Sequence, residues 1–286
     1  MAKKLLKDTS SQILKKLEEW QEREAISSSF LEFYKGLLSI QAWAEERIKL
    51  PESSLSKKVA NHRIVNGLPL LKFDELDLDW SLVDKVFRKV TKIFANFPEL
   101  FGEVPRSLTG VNSRLPKKVV KAWLNGAYLP NKIAGNNVNK QLLSTIVHAT
   151  LKPFLTTYSK ALISIVEQNR WRRGYCPICG GSPDIAFLEK EVGARWLMCF
   201  RCDAHWRFQR LECPSCSNQD CKSLSYFSDD TGVYRLYVCD KCHTYLKTID
   251  LRNTKEDISL SLERLMTLDM DVQGQKKGYQ PGYQLT

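Results

Sequence analysis

The sequence predicts an α+β chain. An N-terminal all-α helical domain over residues 1–170 is followed by two tandem zinc-ribbon β modules, over 171–210 and 211–252. A short helix and a mobile tail over 253–286 complete it. Three observations carry this expectation. All nine cysteines lie in the last 111 residues. Eight of them form four Cys-x-x-Cys pairs. Upstream, apolar residues recur at helical spacing; between the pairs they fall in short runs bounded by turn residues.

The helical elements follow in order. Ile13, Leu14, Leu17 and Trp20 sit at helical spacing. Phe30, Tyr34, Leu37, Leu38 and Ala44 share one broad face of the next helix, with Ile48 near it and Pro51 as its stop. Asp79 is the expected N-cap of a helix whose stripe is Leu82, Val83, Val86, Val90, Ile93 and Phe94. Pro116 and Gly126 bracket another. The stretch from Asn137 to Trp171 reads as two helices divided near Pro153, because proline lacks the amide a helix interior needs. Residues 51–79, 102–115 and 127–136 read as loops. The aromatics and His148 of this half are expected in the core.

The cysteine half reads as strands. "SPDIAFLEKE…ARWLMC" and "SLSYFSDDTGVYRLYVC" are expected hairpins, the second turning at Asp229–Gly232. "TKEDISLSLERLMTLDM" suits a short helix, and "QGQKKGYQPGYQLT" a mobile tail.

The four pairs are separated by 19, 10 and 22 residues. The first and third gaps suit a hairpin that brings one pair back to face another. Cys176, Cys179, Cys199 and Cys202 therefore group as site 1. Cys213, Cys216, Cys239 and Cys242 group as site 2. Four thiolates satisfy a tetrahedral metal, and a tight turn lets two cysteines three positions apart aim at one point. Cys176-Pro-Ile-Cys179-Gly180 has the proline that fixes φ and the glycine that allows the chain to turn away. Cys213-Pro-Ser-Cys216 keeps the proline but has Ser217 in the glycine position. A thioredoxin-like redox centre would use one pair, not four. A disulfide framework needs an oxidising compartment. The charged opening lacks the apolar stretch of a secretory signal, and no run of 18 apolar residues suggests a membrane span. A cytoplasmic location is expected. Cys221 is left over as a bystander thiol. His205 and His243 lie beside ligand cysteines and are expected in supporting or surface positions.

The net charge of +11 invites a nucleic-acid reading. Residues 1–169 carry 26 Lys/Arg against 17 Asp/Glu, and residues 170–252 carry 13 against 10. Each four-thiolate site with a divalent ion contributes −2, which leaves the loaded ribbons near neutral and speaks against phosphate-binding fingers. No G-x-S-x-G, P-loop or dinucleotide fingerprint is present. Four cysteines fill each site, so neither offers the open coordination position of a hydrolytic metal centre. A non-enzyme is expected.

The motifs are also specific enough to resemble a known family. "Trp171…Gly174-Tyr175-Cys176-Pro177-Ile178-Cys179-Gly180", "Arg195-Trp196-Leu197…Cys199-x-x-Cys202", Trp206-x3-Arg210-x2-Cys213 and "Cys239-Asp-Lys-Cys242-His-Thr-Tyr245-Leu246-Lys247" are similar to the formate dehydrogenase accessory proteins called FdhE. The resemblance is strong over about residues 148–279 and diffuse before that. It implies rubredoxin-like modules holding iron or zinc. It also implies a maturation factor that binds the catalytic subunit of a molybdenum- or tungsten-dependent formate dehydrogenase. Trp206, Arg210, Tyr245 and Lys247 are the candidates for partner contact; the competing reading is that they brace the ribbons. Two other functions remain open from sequence: a nucleic-acid-binding ribbon protein, and an iron tetrathiolate electron-transfer protein.

Overall fold

The computed structural model describes residues 27–50, 55–130, 136–255 and 258–283, together with Ile13, Leu17, Lys132 and Ile133. These fall into two compact units. One comprises 27–50 with 73–158, the other 55–72 with 159–283. In chain order the main elements are α1 (Ser28–Glu45), α2 (Lys57–Val65), α3 (Trp80–Ala95), α4 (Lys117–Leu124), α5 (Lys140–Leu162), β1 (Pro183–Leu188), β2 (Arg195–Cys199), β3 (His205–Phe208), β4 (Leu224–Ser228), β5 (Tyr234–Cys239), β6 (Thr244–Asp250), α6 (Leu260–Met266), α7 (Leu268–Lys276) and β7 (Gln280–Pro281). The fold is α+β, as the sequence predicts.

In the first unit Asp79 caps α3 as expected, accepting from the amides of Ser81 and Leu82 at 2.9 and 3.1 Å. The buried stripe of α3 is Leu82, Val83, Val86, Phe87, Val90, Thr91 and Phe94, with Ile93 at its margin. The face of α1 is rotated from the expected one: Phe33, not Phe30 or Tyr34, is the deeply buried aromatic. The Phe33 ring meets those of Phe94 and Phe101 at 4.9 and 4.4 Å. Ile13 and Leu17 are helical and buried; Leu14, Trp20 and Pro51 lie outside the described residues. His148 is half-buried and stacks on Trp123.

Pro153 does not divide α5, which runs unbroken from Lys140 to Leu162. A proline removes one helical hydrogen bond and leaves the carbonyl four residues earlier without its donor. That carbonyl belongs to Ala149, and the buried Gln41 side chain of α1 donates to it at 3.1 Å. A tertiary bond replaces the missing helical one. The loops expected over 51–79 and 102–115 also change. The first contains α2, capped by Ser56, and the second a helical turn at Arg106–Thr109. The α2 pattern is obscured because a charged residue, Arg63, lies on its buried face and donates to the Leu70 carbonyl at 2.7 Å.

The second unit is built on one seven-stranded sheet of order β3-β2-β1-β6-β5-β4, with β7 pairing beside β6. Each ribbon contributes an antiparallel three-stranded meander. A parallel pairing of β1 with β6, Ile185 opposite Lys247 through Leu188 opposite Asp250, fuses the meanders. The ribbons are thus halves of one sheet rather than beads in series. Leu260 of α6 packs with Ile185, Phe187, Met198 and Ile249. Met270 of α7 packs with Leu236, Val238 and Tyr245. The segment expected as a mobile tail is ordered over its described part. Tyr279 donates to Asp240 at 2.6 Å, and the Gln280 amide to the His243 carbonyl at 2.8 Å.

Candidate metal centres

The four Cys-x-x-Cys turns share one backbone design. The amide of the first cysteine donates to the carbonyl five residues on: Cys176 to Gly181, Cys199 to Ala204 and Cys213 to Asn218, at 2.8–2.9 Å. Cys239 pairs with Thr244 in the same relation. Closing so tight a loop needs a left-handed residue right after the second cysteine. Gly180, Asp203, Ser217 and His243 hold that place, with φ of 74°, 56°, 56° and 51°. Only Gly180 does so without steric cost. His243 is therefore explained as a turn residue: it is exposed and outside the quartets.

The turns converge in the grouping the spacing predicts. The sulfurs of Cys176, Cys179, Cys199 and Cys202 lie within 4.8 Å of one another, as do those of Cys213, Cys216, Cys239 and Cys242. Their shortest separations are 3.6 Å for Cys176–Cys202, 3.5 Å for Cys179–Cys199, and 3.7 Å for both Cys213–Cys242 and Cys216–Cys239. A disulfide needs about 2.05 Å. Four sulfurs about 2.3 Å from one central ion stand about 3.8 Å apart. The quartets fit a tetrahedral ion and exclude disulfides in this arrangement.

Electrostatics point the same way. Burial pushes the Cys176 and Cys202 thiols well above the usual range, while hydrogen bonds from Cys176, Cys199 and Cys202 hold Cys179 well below it. In site 2, burial pushes Cys216 up to about 12, and Cys239 is lowered against its burial by the amides of Cys242 and Lys241. Cys179 and Cys239 thus favour the thiolate, whereas Cys176, Cys202, Cys213 and Cys216 disfavour it. A central cation removes that conflict, since thiolates are the ligand form. Either quartet could hold a metal ion; the donor set suits iron and zinc alike.

The surroundings differ. All four site 1 cysteines are buried, whereas Cys216 and Cys242 of site 2 are half-exposed. In site 1 the Ile178 amide donates to Cys176 Sγ at 3.3 Å. In site 2 side chains add to the backbone contacts: Thr244 Oγ1 lies 3.0 Å from Cys242 Sγ, and Asn218 Nδ2 donates to Cys239 Sγ at 3.7 Å. The first turn is also strapped from far upstream. The Leu70 and Leu71 amides donate to the carbonyls of Pro177 and Ile178 at 2.8 Å, and Tyr175 Oη donates to the Gly67 carbonyl at 2.8 Å. Gly174 stands where any Cβ would lie 1.9 Å from the Pro214 carbonyl, so the site 1 and site 2 turns abut there.

Three of the four candidate partner residues lie in the interior. Trp206 is fully buried and donates to the Arg173 carbonyl at 2.8 Å. Tyr245 and Lys247 are buried on β6 and both bond Asp271 of α7, at 2.8 and 2.7 Å. They brace the sheet against its C-terminal helices; Arg210 alone is exposed. Cys221 is an exposed thiol outside both quartets. His205 is buried, and burial pushes its pKa down to about 4. Sequence reasoning missed Arg264 of α6. Its guanidinium bonds Asp184, Asp203 and the Cys199 carbonyl, so it fixes the second turn of site 1. The only sequence signal was an arginine between the apolar Leu262 and Leu265 of a short helix that also carries Glu263.

No family model matches the chain. Among curated proteins, an FdhE homolog from Aquifex aeolicus (strain VF5) is 27% identical over 259 residues, covering 88% of this chain and 86% of the relative. This chain is related to the FdhE proteins. The FdhE homolog of Shewanella oneidensis is 26% identical over 139 residues, covering 48% of this chain and 46% of its own length. The crystal structure of the FdhE protein from Pseudomonas aeruginosa matches with a TM-score of 0.62 at 20% identity, covering 97% of this chain and 93% of that one. That likeness establishes a shared FdhE fold. No helix among the described residues is long and apolar enough to cross a membrane.

Proposed function

We propose that this chain is a cytoplasmic maturation factor for a molybdenum- or tungsten-dependent formate dehydrogenase, and that it binds the catalytic subunit of that enzyme. The observation that carries the reading is the likeness to FdhE along nearly the whole chain, helices and ribbons together. Cys176, Cys179, Cys199 and Cys202 hold one ion, and Cys213, Cys216, Cys239 and Cys242 the second. A bound ion supplies a rigid cross-link, and iron in such a sulfur cage would add a one-electron couple that zinc lacks. The chain itself supplies the closed cage, the left-handed turn residues and the Arg264 lock. Four protein ligands leave no position for a substrate, which suits a binding factor better than a hydrolase.

The test is genetic and biochemical. Deletion in an organism without a second copy should leave the formate dehydrogenase polypeptide made but its activity lost, with restoration by the gene in trans. Tagged protein purified without oxygen should retain the catalytic subunit. Full formate dehydrogenase activity in the deletion strain would refute the reading.

A further inference from the structure

A cavity of about 440 Å³ opens where the two ribbons meet, beside the first cysteine of site 2. Its walls are largely apolar and include Leu224, Tyr237 and Leu246. Two guanidiniums line it. Arg195 is 3% exposed, yet it has no ion pair among the described residues. Its Nη1 donates to the carbonyls of Glu212 and Gln209 at 3.1 and 3.5 Å, and its Cζ lies 4.5 Å from the Tyr237 ring centre. Its buried Nε has no hydrogen-bond partner. Arg210 is exposed and carries no hydrogen bond or ion pair among the described residues. The one carboxylate of the lining, Glu212, accepts from Gln219 at 2.8 Å.

A buried cation without a counter-ion is costly, and the cost falls when an anion arrives. An apolar cavity with unmatched guanidiniums therefore fits a carboxylate carried on an apolar body. The surroundings indicate its source. Leu211 and Tyr226 line the same cavity and are 69% and 49% exposed. Tyr226 belongs to β4, the outer strand of the sheet, whose far side has no partner strand among the described residues. An exposed strand edge offers backbone donors and acceptors to an extended peptide, which a small organic acid could not use.

We propose that this seam cavity receives an acidic, apolar peptide segment of a protein partner, its carboxylate between Arg195 and Arg210 and its backbone along β4. The inference rests on the partner-binding role above only for the partner being a protein. The rival reading is that the arginines merely balance the negative charge of a loaded site 2.

The test uses the full chain in its metal-bound form and two fluorescent probes with one apolar body, anionic 1-anilinonaphthalene-8-sulfonate and uncharged N-phenyl-1-naphthylamine. The anion should bind at least tenfold more tightly. Arg210→Gln should remove most of that preference with metal content unchanged, and Leu211→Ser should weaken both probes. Arg195→Gln should abolish the preference, but it can also disturb β2, so Arg210→Gln is the decisive variant. Acidic-apolar peptides from an immobilised library should displace the anion, and their Glu→Gln versions should not. Equal binding of the two probes, or an anion preference untouched by Arg210→Gln, would overturn the proposal. Loss of the second metal in both arginine variants would establish the charge-balancing reading instead. Displacement by small aromatic acids but by no peptide would overturn the peptide assignment. These outcomes do not depend on formate dehydrogenase: peptide binding with normal enzyme activity in the deletion strain would refute only the client.

Discussion

Asp184, Asp203 and the Cys199 carbonyl all face one guanidinium, that of Arg264. The Asp184 side chain is 5% exposed, so loss of its partner would strand a buried charge. Arg264→Met should therefore cost about 3–5 kcal/mol. Urea denaturation should show it, and a chelator should strip site 1 faster while site 2 keeps its rate. Unchanged release from site 1 would mean that the lock serves α6 alone. His205 carries a pH prediction. Its folded pKa, about 4, lies below the unfolded value near 6.5, because burial disfavours the charged ring. The unfolded chain then binds more protons, and stability falls as pH drops below about 6.5 toward 4. Between pH 8 and 5.5 the loss from this group is about 1–2 kcal/mol. Acid also protonates the thiolates, so the measurement is the difference between the parent and His205→Phe. The variant should lose less stability over that interval; parallel curves would show that His205 does not titrate as argued. Arg264 was not legible in the sequence as a support, since it meets Asp184 across 80 positions; His205 was expected in a supporting or surface position beside its cysteines, but not its deep burial.

At the level of elements, the quartets were legible because each turn encodes its own geometry in four consecutive residues. The unbroken α5 was not, because its repair comes from Gln41, 108 positions away. This gives a coupled prediction. Gln41→Leu leaves the Ala149 carbonyl buried without a donor and should cost about 1–3 kcal/mol. In a Pro153→Ala background the helix regains its own amide for that carbonyl, and the cost of Gln41→Leu should shrink by at least half. A double-mutant cycle by denaturation measures the coupling; strict additivity would show that the two are independent. The same limit explains α2. Its buried Arg63 reads as surface in a sequence, and its strap onto Pro177 and Ile178 joins segments more than a hundred residues apart.

For the whole molecule, composition and spacing revealed an α+β chain with two four-cysteine groups, but not that the groups share a sheet. The parallel β1–β6 pairing and the C-terminal helices that cover the sheet are long-range events with no local signature. The account turns on two closed tetrathiolate centres with the stated membership. The most direct measurement is metal stoichiometry of anaerobically purified full-length chain, for the parent and for Cys176→Ser and Cys216→Ser. The parent should carry two ions, and each variant should lose one and keep the other. One ion or none in the parent, or loss of both from a single substitution while the chain stays folded, would overturn the assignment.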